Sequence, residues 1–108
     1  MTYRLYRERL AEQDLFEQTV YLARERPEVA LRFVEAVEQA CARLAERPLL
    51  GTLRTCHSPR LTGVRMWPLP GAFRNYLIFY QFVHDEVRIL RVLHGARDIP
   101  TLLETVGD

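Results

Sequence analysis

The sequence predicts an α+β fold: an N-terminal strand, a helical hairpin, a three-stranded antiparallel meander and a short C-terminal tail, in the order β-α-α-β-β-β. Three observations carry that expectation. Apolar residues recur at helical spacing through residues 8–46, and they alternate at strand spacing through residues 73–94. Between the two lies a stretch containing Pro48, Gly51, Pro59, Gly63, Pro68, Pro70 and Gly71, which breaks both periods. The simplest packing lays the hairpin on one face of a curved, mostly antiparallel sheet, with the first strand alongside the others and the opposite face open.

Each element has its own signal. Residues 2–7 (TYRLYR) alternate, with two tyrosines, as a strand does. Ala11, Leu15 and Leu22, with Phe16 and Thr19 alongside, recur at helical spacing among acidic and amide residues, giving an amphipathic helix that ends near Arg26. Pro27 suits the first turn of a second helix, followed by Glu28 near its positive end. Ala30, Phe33, Val34, Val37, Cys41 and Leu44 then make one apolar stripe, and Pro48 stops the helix. Residues 52–63 read as a surface loop, and residues 64–69 as an irregular or edge strand because of Pro68. In residues 73–82, Tyr76, Ile78, Tyr80 and Phe82 point one way and Leu77, Phe79 and Gln81 the other, the mark of a central strand. A turn at His84, Asp85 and Glu86 returns the chain along residues 87–94, and residues 99–106 suffice for one or two helical turns.

Length and composition narrow the class. A chain of 108 residues is expected to form a single domain over 1–108, and its 48% apolar content excludes general disorder. The charged N-terminus and the lack of a bilayer-length apolar run predict a cytoplasmic protein without membrane association. Cys41 and Cys56 are expected to be thiols, and Cys56-His57 has no second ligand pair, so neither metal nor cofactor is expected. All fifteen basic residues are arginines, so no lysine is present to act as acid, base or nucleophile. Between residues 54 and 97 seven arginines stand against Asp85 and Glu86, whereas the first 53 residues hold eight arginines and nine acids. The later half is therefore basic, with the side chain best shaped for carboxylates and phosphates.

The last strand concentrates the question. Strict alternation puts Val87, Ile89, Arg91 and Leu93 on one face and Arg88, Leu90, Val92 and His94 on the other, so neither face is purely apolar. A purely structural account pairs Arg91 with a carboxylate such as Asp98 or lets the arginines snorkel at a sheet edge. The clustering of Arg91, His94 and Arg97 at a strand end points instead to a surface for an acidic partner or a phosphate backbone.

The runs Phe73-Arg74-Asn75-Tyr76-Leu77-Ile78-Phe79-Tyr80 and Arg88-Ile89-Leu90-Arg91-Val92-Leu93-His94-Gly95-Ala96-Arg97-Asp98 resemble the ParE branch of the RelE/ParE superfamily, the toxins of type II toxin–antitoxin operons. The likeness extends over the helical hairpin and the Arg47-Pro48-Leu49-Leu50-Gly51 segment after it. It implies a RelE/ParE-like fold and a toxin that poisons DNA gyrase by stabilising its cleaved-DNA complex, inhibition by binding that needs no catalytic residues. It also implies a cognate, acidic, ParD-like antitoxin in a hetero-oligomeric complex, and no sequence-specific DNA binding by this chain alone. The candidate target-binding residues are Arg74, Arg91, His94 and Arg97, with Tyr76 and Tyr80 secondary. The alternatives are a RelE-like ribosome-dependent messenger endoribonuclease and a non-toxic member that only binds antitoxin. Against the ribonuclease, the chain has no lysine, carries Leu77 where that branch has an arginine, and has no tyrosine after Tyr80; only Arg97 aligns loosely with a catalytic arginine. The titratable candidates for acid–base work are His94, His57 and His84.

Overall fold

The computed structural model of the chain describes residues 1–104. Its elements in order are β1 (Arg4–Arg7), α1 (Arg9–Glu25), α2 (Pro27–Glu46), β2 (Thr52–Leu53), β3 (Arg65–Pro68), β4 (Tyr76–Val83), β5 (Glu86–His94) and α3 (Ile99–Glu104). One sheet runs β1-β5-β4-β3-β2, with β1 parallel to β5 and the remaining pairs antiparallel. The predicted order holds with one addition, since Thr52–Leu53 pairs with Met66 and Arg65 as a two-residue edge strand inside the predicted loop. Two residues are too few for alternation to show. The predicted tail reaches two residues, 105 and 106, that lie outside the described ones, and among the described residues no helix is long and apolar enough to cross a membrane.

Pro27 sits in the first turn of α2, and Arg26 between the helices is extended, its N–H donating back to the Leu22 carbonyl. Ala30, Phe33, Val37, Cys41 and Leu44 are buried as their spacing predicts, and all of these but Ala30 join Ala11 and Leu15 in one cluster with Ile78, Tyr80, Val87, Ile89 and Val92 of the sheet. One predicted stripe residue, Val34, stays exposed, as does Phe16 alongside the α1 repeat, at 70% exposure. The stripe that touches the sheet is narrower than the apolar surface the hairpin carries. Burial pushes the Cys41 thiol above its ordinary pKa, against the pull of the Arg7 guanidinium.

Strand 73–82 begins only at Tyr76, because Gly71 turns the chain at φ 63° and residues Gly71–Phe73 coil into a 3₁₀ turn that lays Phe73 against Phe33. At the far end, His84 and Asp85 both adopt positive φ, and Val83 pairs with Glu86. This is a two-residue hairpin turn matched to strand twist, so Glu86 belongs to β5 rather than to the predicted turn.

Strict alternation along β5 fails at a bulge. Phe79 pairs with Arg91 but Tyr80 with Ile89, so Leu90 has no partner on β4. Val87, Ile89 and Val92 consequently all join the core under the helices, while Leu90 and Leu93 join a second core on the opposite face. That second face is not open as expected. Leu61 and Val64 from the loop, and Ile99 and Leu103 from α3, cover Phe79, Leu90 and Leu93 there. Residues 99, 102 and 103 spell the apolar face of a short helix, a signal that becomes meaningful only once a sheet face needs covering.

The bulge leaves Arg91 where β1 has already ended. Glu8 N–H donates to the Ile89 carbonyl, and from Arg9 the chain departs as α1. The β5 edge beyond that point is taken by Asp14 of α1. Its carboxylate accepts Arg91 Nε (2.7 Å) and Nη2 (2.8 Å) side by side, and its Oδ2 also accepts the Val92 N–H (3.0 Å). Arg91 Nη1 donates to the Leu102 carbonyl (3.1 Å), tying α3 to the same site. Arg91 is 7% exposed, and the hydrogen bonds to Asp14 raise its pKa further. The partner is thus Asp14 rather than Asp98, which accepts from the Thr101 hydroxyl.

Removing Asp14 strands a buried guanidinium and a strand N–H together, so Asp14→Ala is expected to cost about 3–5 kcal/mol in urea unfolding, and Asp14→Leu with Arg91→Met to recover most of it. Cys41 supplies a pH test. Its folded pKa is raised, so its contribution is complete below the ordinary thiol pKa and is lost as pH rises toward the raised value. The stability difference between wild type and Cys41→Ala should therefore shift against wild type as unfolding is repeated from neutral to alkaline pH. A pH-independent difference would contradict it.

Candidate target-binding site

The start of β4 and the end of β5 lie side by side, with Tyr76 opposite His94 and Leu77 opposite Leu93. Just before the first and just after the second, the chain forms two short turns. The Gly95 N–H donates to the Asn75 carbonyl at 2.7 Å and holds those turns together. Between them opens a cleft of about 400 Å³ lined by Arg74, Asn75, Leu77, His94, Gly95 and Ala96.

The geometry within the second turn is fixed locally. His94 Nδ1 accepts the Ala96 N–H (3.1 Å), and the Arg97 N–H donates to the His94 carbonyl (3.0 Å). An accepting Nδ1 leaves the ring proton on Nε2. The His94 ring meets Tyr76 edge to face at 5.0 Å, and Tyr76 packs in turn on Phe33, which anchors the site to α2. Burial raises the Tyr76 pKa, with a smaller contribution from Tyr21. Gly95 eases a close approach: a Cβ there would sit a tight 3.3 Å from the Asn75 oxygen and in ordinary contact, 3.7 Å, with Leu77 Cδ1.

The six predicted residues divide accordingly. Arg74 and His94 line the cleft, Tyr76 supports His94, and Arg97 is exposed on the adjoining turn. Neither the Arg74 nor the Arg97 guanidinium has a hydrogen-bond or ion-pair partner among the described residues. Arg91 stands elsewhere, buried against Asp14. Tyr80 is also committed to the core: its hydroxyl donates to the Pro48 carbonyl (2.7 Å) and accepts the Gly51 N–H (2.8 Å). Arg65 Nη1 donates to the Leu49 and Gly51 carbonyls of the same segment, and a Cβ on Gly51 would lie 2.6 Å from Tyr80 Oη. The Arg47–Gly51 segment thus serves as a brace for β3 and β4. Asn75, Gly95 and Ala96 were not singled out from sequence; only the glycine between His94 and Ala96 hinted at a tight turn.

The histidines do not assemble. His84 lies at the β4–β5 hairpin turn, the opposite end of the strands from His94, and His57 lies in the 52–63 loop. Among the described residues no three His, Cys, Asp or Glu side chains are grouped to hold a metal ion, and both cysteines are free thiols. What the cleft offers is recognition of a planar or anionic group by arginine, amide and imidazole donors.

Comparison with known proteins agrees with this architecture. A solved structure described as "Chromosomal ParDE TA system from P. aeruginosa" superposes with a TM-score of 0.68 at 23% identity, over 86% of this chain and 96% of that one. At that identity the likeness speaks for the fold. No protein of curated function matches the chain. The family described as "ParE toxin of type II toxin-antitoxin system, parDE" matches residues 5–99, from the first strand through the start of α3. Covering both turns of the cleft as well as the helical hairpin, that match makes the chain a member of the ParE toxin family of type II toxin–antitoxin systems.

Proposed function

We propose that this toxin acts by binding DNA gyrase and stabilising its cleaved-DNA complex, with the cleft and the His94–Arg97 turn as its working surface. The observation that carries the reading is that Arg74 at the cleft and Arg97 on the adjoining turn are both exposed, with no ion-pair partner among the described residues. A toxin that inhibits by binding needs donors and a surface, and this surface has both. His94 beside Arg74 supports a second reading, ribosome-dependent cleavage of messenger RNA, because a histidine can move a proton at a 2′-hydroxyl.

Neutralisation by an acidic, ParD-like antitoxin follows from a different face. Phe16, Val20 and Tyr21 of α1 and Leu31 and Val34 of α2 are exposed on the helical hairpin, and a small groove lies between Leu15, Thr19, Val34 and Val37 with Arg7 and Glu38 at its rim. An amphipathic antitoxin helix would lay its apolar side there. Left uncovered, such a surface makes the isolated chain poorly soluble, and coexpression with the antitoxin should restore solubility.

Two measurements test these readings. In supercoiling assays with purified gyrase, added chain should abolish supercoiling and accumulate cleaved plasmid, and Arg97→Ala should lose the effect while unfolding at the same urea concentration as wild type. Position-specific cleavage of ribosome-bound message, with gyrase untouched, would decide for the ribonuclease. Leu31 is 67% exposed, so Leu31→Glu should leave stability within about 0.5 kcal/mol and weaken antitoxin capture by roughly tenfold or more.

A further inference from the structure

The chemistry of the cleft narrows what it binds. Three of the four backbone N–H groups between β5 and α3 are used internally, by Asn75 O for Gly95, His94 Nδ1 for Ala96 and His94 O for Arg97. Phosphate sites on loops rely on convergent backbone N–H groups, and those of the cleft-lining Gly95 and Ala96 are already taken. The donors that remain belong to side chains: the Arg74 guanidinium, the Asn75 amide and His94 Nε2–H. A guanidinium fork matches a planar carboxylate with two parallel hydrogen bonds.

Two further observations separate a protein ligand from a nucleic acid. Single-stranded nucleic acid needs aromatic faces to stack its bases, whereas Tyr76 is held edge-on between Phe33 and His94, and Leu77 forms an aliphatic wall. Of the seven arginines between residues 54 and 97, Arg91 is paired with Asp14 and Arg88 with Glu8 and Glu86, so the cleft is left with Arg74 and the adjoining Arg97 rather than the row of cations a phosphate backbone needs. We infer that the cleft takes a Glu or Asp side chain of an acidic protein segment, its carboxylate on Arg74 and His94 Nε2–H and a neighbouring apolar side chain against Leu77. The inference rests on the reading of this end of the sheet as the working surface, and it names the chemistry by which that surface grips a protein partner.

The test is a titration of the isotope-labelled full chain, followed by the amide resonances of Asn75, Gly95 and Ala96. The probes are a short peptide of alternating Glu and Leu, the same peptide with Gln for Glu, and an oligothymidylate of similar length. Saturable shifts at those amides are expected with the Glu peptide alone. Arg74→Ala should weaken them by about tenfold, the effect of one charge-assisted hydrogen bond, and Arg74→Lys by less. Equal shifts with the Gln peptide, shifts confined to the helical hairpin, or tighter binding of oligothymidylate at the same amides would each overturn the inference. Its failure is separable from that of the gyrase reading. Glu-peptide binding at the cleft with gyrase unaffected would leave the carboxylate site standing alone. Gyrase poisoning without such binding would leave the toxin's target standing and remove the cleft.

Discussion

The structure turns on the place where β1 stops and β5 continues. A parallel edge strand four residues long cannot cover a nine-residue neighbour, and the uncovered edge of β5 presents backbone donors to the interior. Asp14, one and a half turns into α1, supplies the missing acceptor for Val92 N–H and holds Arg91 in the same grip. Because Arg91 also reaches the Leu102 carbonyl, one ion pair joins the first helix, the longest strand and the last helix. Desolvation offsets much of the attraction within such a pair, so its contribution is to registration: it sets how α1 and α3 sit on the sheet.

That registration decides where a binding surface is available. With the helical hairpin on one face and α3 and the 59–64 segment on the other, neither broad face of the central strands is bare. The polar cleft lies instead at the strand ends, where β4 enters and β5 leaves and where the chain has turns rather than a core to build. The bulge at Leu90 contributes by shifting the second half of β5, so that His94 comes out on the Tyr76 side and the ring pair forms. At the other side of the sheet, the Tyr80 hydroxyl and the Arg65 guanidinium spend themselves on the Pro48–Gly51 backbone, bracing the exit of α2.

Two surfaces of unlike character result. The hairpin exposes apolar side chains in excess of what the sheet can bury, a face suited to a long amphipathic partner. The strand-end cleft is small, cationic and built on a rigid aromatic stack, a site suited to one anchored side chain rather than to a broad interface. Because the two surfaces lie on different elements, the docking and target contacts proposed for them can be perturbed by different substitutions.

Element order, most of the α2 core stripe and the shared face of Tyr76, Ile78 and Tyr80 on β4 were legible from periodicity and turn chemistry, because those depend on neighbours within a few residues. The roles of Arg91 and Tyr80 were not. Each is settled by a partner far along the chain, Asp14 for one and Pro48 and Gly51 for the other, and local spacing is silent about which distant carboxylate or carbonyl will arrive. The same limit hid the bulge, since alternation read on one strand assumes a regular partner, and the extra residue exists only in the pairing of two. Sequence alone determined what each segment is able to form and which end of the sheet is cationic; tertiary structure decided which arginines are consumed in holding the fold and which stay exposed, because burial and pairing are properties of the assembled chain.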